Sequence, residues 1–597
     1  MKDQERCNGW WLVPLVWLLL VSPLVAGTMW LRRHGHFAPI FELAMTELRV
    51  RDVGTAQTPL LGLPGRLGPA GCHPGPLSFY LLAPVYRLLG GSYWALRVST
   101  AAFNALAIAG ALILARRTAG AAGVIGAGIA IGILELGFGL MILTEPWNPH
   151  LPVLWFATFL LAVWAVTAGS ARTLPFALAT GSLCAQTHIP YAAMCGGLGF
   201  LAFTWVLAQT FRAHDASVRR VHLRACALAS GVVLVAWAPP LVDQIIHRPG
   251  NLAALYRFFR HAPEATIGLR GAVPLILTHL DAWYIVAGSF GKPSVLSIAV
   301  QAEQPSVARG AVFLASWVLA ALIGLKVGGK ALRALHAVAL CAVVVAWVSF
   351  SRILGVPWTY LTFSAWSVGI LLFAATVSTA GLVFARALSG RVPERHARIC
   401  AEVAGLAVIG ACALRLGSRP DEASTSAPGP SIQLAALAPA VSDALLANVG
   451  AARGFQGRYL VTWKDALYLG AQGFGLVNEL DRRGFHAGLT TNFATLITER
   501  RVFAASEPTA RVYLATGGWI REVRRLPGAV RIAYSDPRTD AERKEFASLR
   551  EAVIRELKSL GHTKAVKDFD RDIGGATAPG VSLYLALEVM RMAELGV

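Results

Sequence analysis

Up to about residue 416 the apolar residues of this chain come in long runs separated by short polar or basic stretches, and beyond it the pattern changes. Runs near 10–30, 94–115, 121–143, 149–168, 174–187, 189–211, 225–243, 308–325, 333–350, 357–385 and 398–415 are candidates for helices that cross a bilayer, which needs about 20 apolar residues. They predict about eleven spans, 174–187 being short for the task. With this count Arg116 and Arg117, Arg172, the cluster Arg212, Arg219, Arg220 and Arg224, the pair Lys326 and Lys330, and Arg386, Arg391, Arg395 and Arg398 all fall on one side. Basic residues favour the cytoplasmic side, so the N-terminus, with Lys2 and Arg6, is expected inside. Segment 76–89 is apolar but short. Starting the second span at Trp94 puts Arg116 and Arg117 in the cytoplasm, so 76–89 is expected to be embedded in the outer surface without crossing.

Two extracytoplasmic loops follow from this topology, at about 32–92 and 244–307. In the first, Phe37, Ile40, Phe41, Ala44, Met45 and Leu48 recur at helical spacing, which predicts a helix lying in the interface with one side in lipid. Glu42, Thr46 and Arg49 then share its wetter side. In the second, Pro249 and Gly250 mark a turn, and Leu252, Leu255, Tyr256 and Phe259 form the apolar face of an amphipathic helix. Residues 1–416 are therefore read as a transmembrane domain, 417–432 (beginning GSRPDEASTSAPGPS) as a linker, and 433–597 as an extracytoplasmic α/β domain. Within that domain RYLVTW from Arg458, RVYLATG from Arg511 and VRIAYSD from Val530 read as strands. Thr539 and Glu542 stand at capping-box spacing before a helix with Phe546, Leu549, Val553, Leu557 and Leu560 on one face, and Gly561 stops it.

Composition narrows the function classes. With 55% hydrophobic and 15% charged residues and a mean hydropathy of +0.54, the chain is a polytopic helical membrane protein. Its net charge of +20 reflects basic clusters between spans and does not point to nucleic acid. From Cys184 to Cys412 the cysteines lie in or beside apolar runs, and the C-terminal domain has none, so no disulfide framework is expected. Gly128 and Gly132 suit close helix packing. The final domain shows no nucleophile triad, Cys-His cluster or phosphate-binding glycine loop; binding an acceptor or partner is its expected role.

An acid soon after span one (Glu42), an amphipathic helix, the turn His73-Pro74-Gly75-Pro76-Leu77, Gly90-Gly91, and Arg97 in ALR opening span two occur in that order. This resembles the GT-C superfamily of membrane glycosyltransferases, in particular its protein O-mannosyltransferase and aminoarabinose-transferase branch. Gly75 stands where that turn carries a proline, and one acid stands where an adjacent Asp-Glu pair is usual. The sequence also looks like a set of uncharacterised actinobacterial-type multi-spanning membrane proteins with an ELRVRDVG segment, a PWNP turn and a QTH motif, a likeness that favours Asp52 as a second acid.

The resemblance implies a plasma-membrane enzyme that moves a sugar from a polyprenyl-phosphate donor to an envelope glycan, lipid or protein on the extracytoplasmic side. A hydroxyl is a poor nucleophile, so a carboxylate must accept its proton: Glu42 first, Asp52 second. His73, Arg352 and Tyr360 are the candidates for the donor phosphate, and Glu145, Asn148 and His188 for other substrate contacts. No spacing demands a metal, although Glu42, Glu47, Asp52 and a donor phosphate leave Mg²⁺ or Mn²⁺ open. The rival readings are a non-catalytic envelope-assembly scaffold of the same fold and a lipid-linked sugar transporter. Few intramembrane polar residues besides Glu135 speak for the transporter.

Overall fold

The computed structural model describes residues 10–65, 71–287, 305–389, 391–466, 470–536, 538–573 and 583–595. Lys2, Arg6 and residues 288–304 of the second loop lie outside these. In chain order the first part forms α1 (Leu12–His34), α2 (Phe41–Asp52), α3 (Leu77–Leu88), α4 (Tyr93–Thr144), α5 (Pro152–Thr167), α6 (Leu174–Thr187), α7 (Ala192–Arg212), α8 (Ala216–Ile246), α9 (Asn251–Arg260), α10 (Gly268–His279), α11 (Ala282–Ala287), α12 (Val307–Val327), α13 (Lys330–Phe350), α14 (Phe363–Leu388) and α15 (Glu394–Gly417).

Among the described residues eight helices are long and apolar enough to cross a membrane. One of them, α4, is a hairpin holding two of the expected spans. Ala119 and Gly120 leave helical geometry, Gly120 with φ +69°, and Asn104 Nδ2 donates to Leu143 O (2.7 Å) across the returning half. With α4 counted twice and the shorter α5 and α6 included, each of the eleven apolar runs has its helix. The 14 residues of α6 reach about 21 Å, less than the ~30 Å hydrocarbon core. It packs against α5, α7 and α8 and is shielded by them. Gly128 and Gly132 sit where α4 meets α1 and α15: a side chain at Gly128 would press on Val16 and Ile409, and one at Gly132 on Cys412 and Leu20. Small residues there let three helices approach closely.

Basic helix ends gather at one end of this bundle. Trp164 Nε1 donates to Ala331 O (2.8 Å) and Arg386 Nη2 to Val327 O (2.7 Å), which draws Arg172, Lys326, Lys330 and Arg386 together. The first loop lies at the opposite end.

Beyond α15 the segment 418–427 is packed into the bundle. Arg97 donates to Ala423 O, and Glu145 Oε1 accepts from Thr425 Oγ1 (2.8 Å) and from Ser426 N (3.0 Å). There follow α16 (Pro428–Leu446), β1 (Arg458–Lys464), α17 (Ala471–Arg482), β2 (His486–Thr490), β3 (Val502–Phe503), β4 (Ala510–Ala515), α18 (Trp519–Arg524), α19 (Asp540–Ser559), α20 (Thr563–Asp568) and α21 (Leu583–Glu594). The strands form a parallel sheet in the order β3-β2-β1-β4. The capping box at Thr539 and Glu542 is present, and Gly561 follows the helix with φ +76°.

Two local expectations are corrected. The run at Val530 is not a strand: residues 530–536 pair with no strand among the described residues, and only Ile532 and Ala533 contribute apolar packing while Val530, Arg531 and Tyr534 stay exposed. The first-loop helix α2 does not lie with one side in lipid. Ala44, Met45, Leu48 and Val50 are buried because α17 covers one side of it and α3 another.

Candidate functional site

The helix α2 presents two polar faces with different partners. On one, Glu47 accepts from Tyr86 Oη (2.8 Å), Asn478 Nδ2 (3.0 Å) and Arg482 Nη1 (3.2 Å), and Arg51 Nη1 meets Asp481 Oδ2 at 2.6 Å. At the helix end Asp52 takes both nitrogens of the Arg501 fork, at 2.6 and 3.0 Å, and Arg500 at 2.9 Å. Asp52 and Arg501 are each about 1% exposed. These carboxylates tie the loop to the C-terminal domain. Asp52, the second candidate base, therefore has both oxygens occupied by guanidinium groups.

The other face carries Glu42, Thr46 and Arg49. Phe41, just before Glu42, has φ +44°, a left-handed conformation that costs a branched or bulky residue about 1–3 kcal/mol and persists only where surrounding contacts impose it. Phe474 packs edge-on against its ring at 5.8 Å, and Ala38 exchanges backbone and hydroxyl hydrogen bonds with Ser431. The C-terminal domain thus holds both ends of the helix that bears Glu42.

Glu42 accepts a hydrogen bond from the Trp147 indole. Burial pushes its carboxyl up to about 7, the indole bond pulling partly the other way. From Trp147 a file of rings continues: His150 at 4.8 Å, Tyr360 at 5.4 Å, then from Tyr360 to His188 at 6.2 Å and from His188 to His73 at 5.2 Å. Five of the eight candidates, Glu42, Tyr360, His188, His73 and the neighbouring Asn148, are brought to one place. The Asn148 Oδ1 atom and the Thr46 hydroxyl on the Glu42 face are buried without a partner among the described residues.

Burial lowers His73 to about 4, so its ring is neutral near pH 7. His188 is pushed well down by burial, then by the His73 and His150 rings. Because His73 Nδ1 accepts from Ile189 N (3.2 Å), the proton of its neutral ring is on Nε2. His73 thus offers a neutral donor. The turn that carries it needs Gly75, since a methyl group there would overlap the Gln186 side chain. The second loop closes over the same place: Asn251 exchanges hydrogen bonds with both backbone groups of Cys72 (2.7 and 3.0 Å), and its own N–H donates to Asp243 (2.8 Å).

Cationic charge at the site comes from Arg49. Burial depresses its guanidinium, Arg501 adding to this while Cys72 and Asp52 oppose it, and no ion pair engages Arg49 among the described residues. It lies two helical turns from Glu42, about 10 Å along the axis at 1.5 Å per residue. Arg352 is exposed on the loop before α14, and no described contact joins its side chain to the ring file. Glu145 is turned toward segment 418–427, with Arg97 4.0 Å and His150 3.6 Å away. Glu47 and Asp52 are taken up by arginines and do not converge with Glu42, so the oxygen set considered for Mg²⁺ or Mn²⁺ does not fit. Among the described residues no cluster of three or more His, Cys, Asp or Glu side chains could hold a metal ion.

Trp147 and His150 were not legible as site residues. Trp147 sits in the very PWNP turn whose prolines drew attention, but a Trp at a span end reads as an interfacial anchor. Arg49 was visible on the Glu42 face, but it was not among the residues singled out for the donor phosphate.

A multi-spanning helical membrane domain with a buried acid site beneath a small parallel-sheet domain defines the class of protein. Among solved structures the chain is similar to ArnT from Cupriavidus metallidurans bound to undecaprenyl phosphate (TM-score 0.48, 14% identity, 88% of this chain and 96% of that chain). It is similar to the same protein in the apo state (TM-score 0.45, 14% identity, 83% and 89%). A further likeness is to the archaeal oligosaccharyltransferase AglB from Archaeoglobus fulgidus in complex with an inhibitory peptide and a dolichol-phosphate (TM-score 0.40, 15% identity, 84% and 64%). No protein-family model and no curated protein matches.

Proposed function

We propose that this chain is a membrane glycosyltransferase that moves a sugar from a polyprenyl-phosphate donor to a hydroxyl of an envelope acceptor at the extracytoplasmic face. The observation that carries the reading is the polar face of α2: a buried carboxyl near pH 7 at one end and an unpaired arginine at the other, with the His73 turn alongside. Glu42 is the base. A group whose pKa lies close to the working pH is half ionised there and still basic enough to take a proton. Arg49 and the Nε2–H of His73 receive the leaving phosphate, whose charge grows as the anomeric bond breaks. In direct displacement the acceptor oxygen attacks C1 opposite the phosphate, so base and phosphate site must stand on either side of one sugar ring. The separation of about 10 Å between Glu42 and Arg49 leaves room for that ring and its phosphate. Displacement of this kind inverts the anomeric centre.

Sidedness follows from charge: the helix ends bearing Arg172, Lys326, Lys330 and Arg386 gather opposite the site, and such ends favour the cytoplasm. Asp52 acts as the tie to the C-terminal domain in this reading, and Tyr360 and His188 continue the file of rings from Trp147 to His73. Purified protein incubated with a radiolabelled polyprenyl-phosphate sugar and an envelope extract is expected to transfer label. Glu42→Gln abolishes that transfer while the protein stays folded; undiminished transfer by the variant removes Glu42 as base. Absence of turnover by the parent protein with every donor favours the non-catalytic scaffold.

A further inference from the structure

The C-terminal domain carries a second site well removed in sequence from the first loop. β4 is an edge strand, and beside it lies a groove of about 1110 Å³ that the segment 529–536 also lines. Val512 is buried in the core, while Arg511 and Tyr513, alternate residues of the strand, are exposed and line the groove. Arg524 and Arg531 line it too. No ion pair or hydrogen bond engages the side chains of these three arginines among the described residues. The one acid of the wall, Asp536, is neutralised by Arg538 through bonds of 2.7 and 3.0 Å. Among the described residues a strand edge with unpaired backbone groups thus opens onto a groove of uncompensated positive charge.

We propose that this groove takes an acidic polypeptide in extended conformation, which adds to β4 as a further strand. An open edge offers alternating N–H and C=O groups at strand spacing, a ladder that another backbone completes and that a sugar chain does not. The arginines select for carboxylates by their forked geometry. The six residues of β4 span about 20 Å at ~3.3 Å each, so the captured segment is six or seven residues long.

The test uses the full-length protein in lipid nanodiscs and fluorescence anisotropy of a labelled octapeptide of alternating glutamate and threonine. Binding is expected, with a roughly tenfold loss when lysine replaces glutamate and a similar loss in Arg511→Glu and in Arg531→Glu, whereas Lys564→Glu outside the groove leaves it unchanged. Methylating alternate backbone nitrogens on the pairing edge of the peptide removes binding. Equal affinity for the methylated peptide, or for a glucuronic acid octasaccharide, overturns the strand-addition proposal. The readout needs no donor, so Glu42→Gln, which stops transfer, leaves peptide binding intact.

Discussion

Replacing Trp147 by phenylalanine removes the indole N–H that stabilises ionised Glu42 while keeping a ring against His150 and Tyr360. A hydrogen bond to a charged group contributes about 1.5–3 kcal/mol, and each pKa unit corresponds to about 1.4 kcal/mol. Losing the donor therefore raises the carboxyl by roughly one to two units from its value of about 7. The sign is fixed by which form the indole favours: it binds the carboxylate, so without it the acid holds its proton to higher pH. The parent protein is expected to show transfer rising with pH through a limb near 7. In Trp147→Phe the limb moves to roughly 8–9, which leaves about 5- to 50-fold less ionised base at pH 7 and restores the rate on the alkaline side. The assay is single-turnover transfer from a labelled donor between pH 5.5 and 9.5. A limb that stays at 7, or a loss that alkaline pH does not recover, refutes the coupling of Trp147 to Glu42.

Arg49→Ala is expected to raise the KM for the lipid donor at least tenfold, whereas Arg352→Ala changes it little; titration of the donor in the transfer assay separates the two arginines. Arg501→Met leaves Asp52 charged in a buried place, so the tie between first loop and C-terminal domain weakens by about 3–5 kcal/mol; limited proteolysis between 417 and 432 should show it. The double exchange Asp52→Leu with Arg501→Met should recover much of that loss, and equal sensitivity of single and double variants would contradict the ion-pair account. Gly75→Ala forces the turn away from Gln186 and is expected to reduce transfer strongly while the thermal midpoint of the bundle is nearly kept.

The membrane half was legible because spans are written in long apolar runs and basic punctuation. Even the short α6, at 14 residues, kept its ends at Leu174 and Thr187. The surroundings of α2 were not legible. Ala44, Met45 and Leu48 mark an apolar face equally well whether the cover is lipid or protein, and the cover turned out to be α17, more than 400 residues on. For the same reason Glu47 and Asp52 looked like metal-binding acids: Arg51 stands four residues from Glu47, but no local pattern announces the arginines at 482, 500 and 501 that complete the network. Glu42 was visible as an acid on a wet face. Its perturbation was not, since it depends on Trp147, which a linear reading assigns to the membrane boundary. At Val530 a short β-branched run outvoted the arginine and tyrosine within it, and propensity alone does not say whether a neighbouring edge is within reach.

The pairing of Asp52 with Arg501 spans 449 positions of chain. At synthesis rates of about 5–20 residues per second, the helix bearing Glu42 waits on the order of tens of seconds for its partners to be made. During that interval Asp52 lacks its arginines, Glu47 has only Arg51 and Tyr86 of its final partners, and nothing yet imposes the conformation of Phe41. The bundle can therefore form while its acid helix is still loose, and the contacts around that helix are completed only after residue 501 has been made. A chain cut short before residue 501 would keep its spans and lack the clamp, so residues far along the chain set the geometry of the helix that bears Glu42.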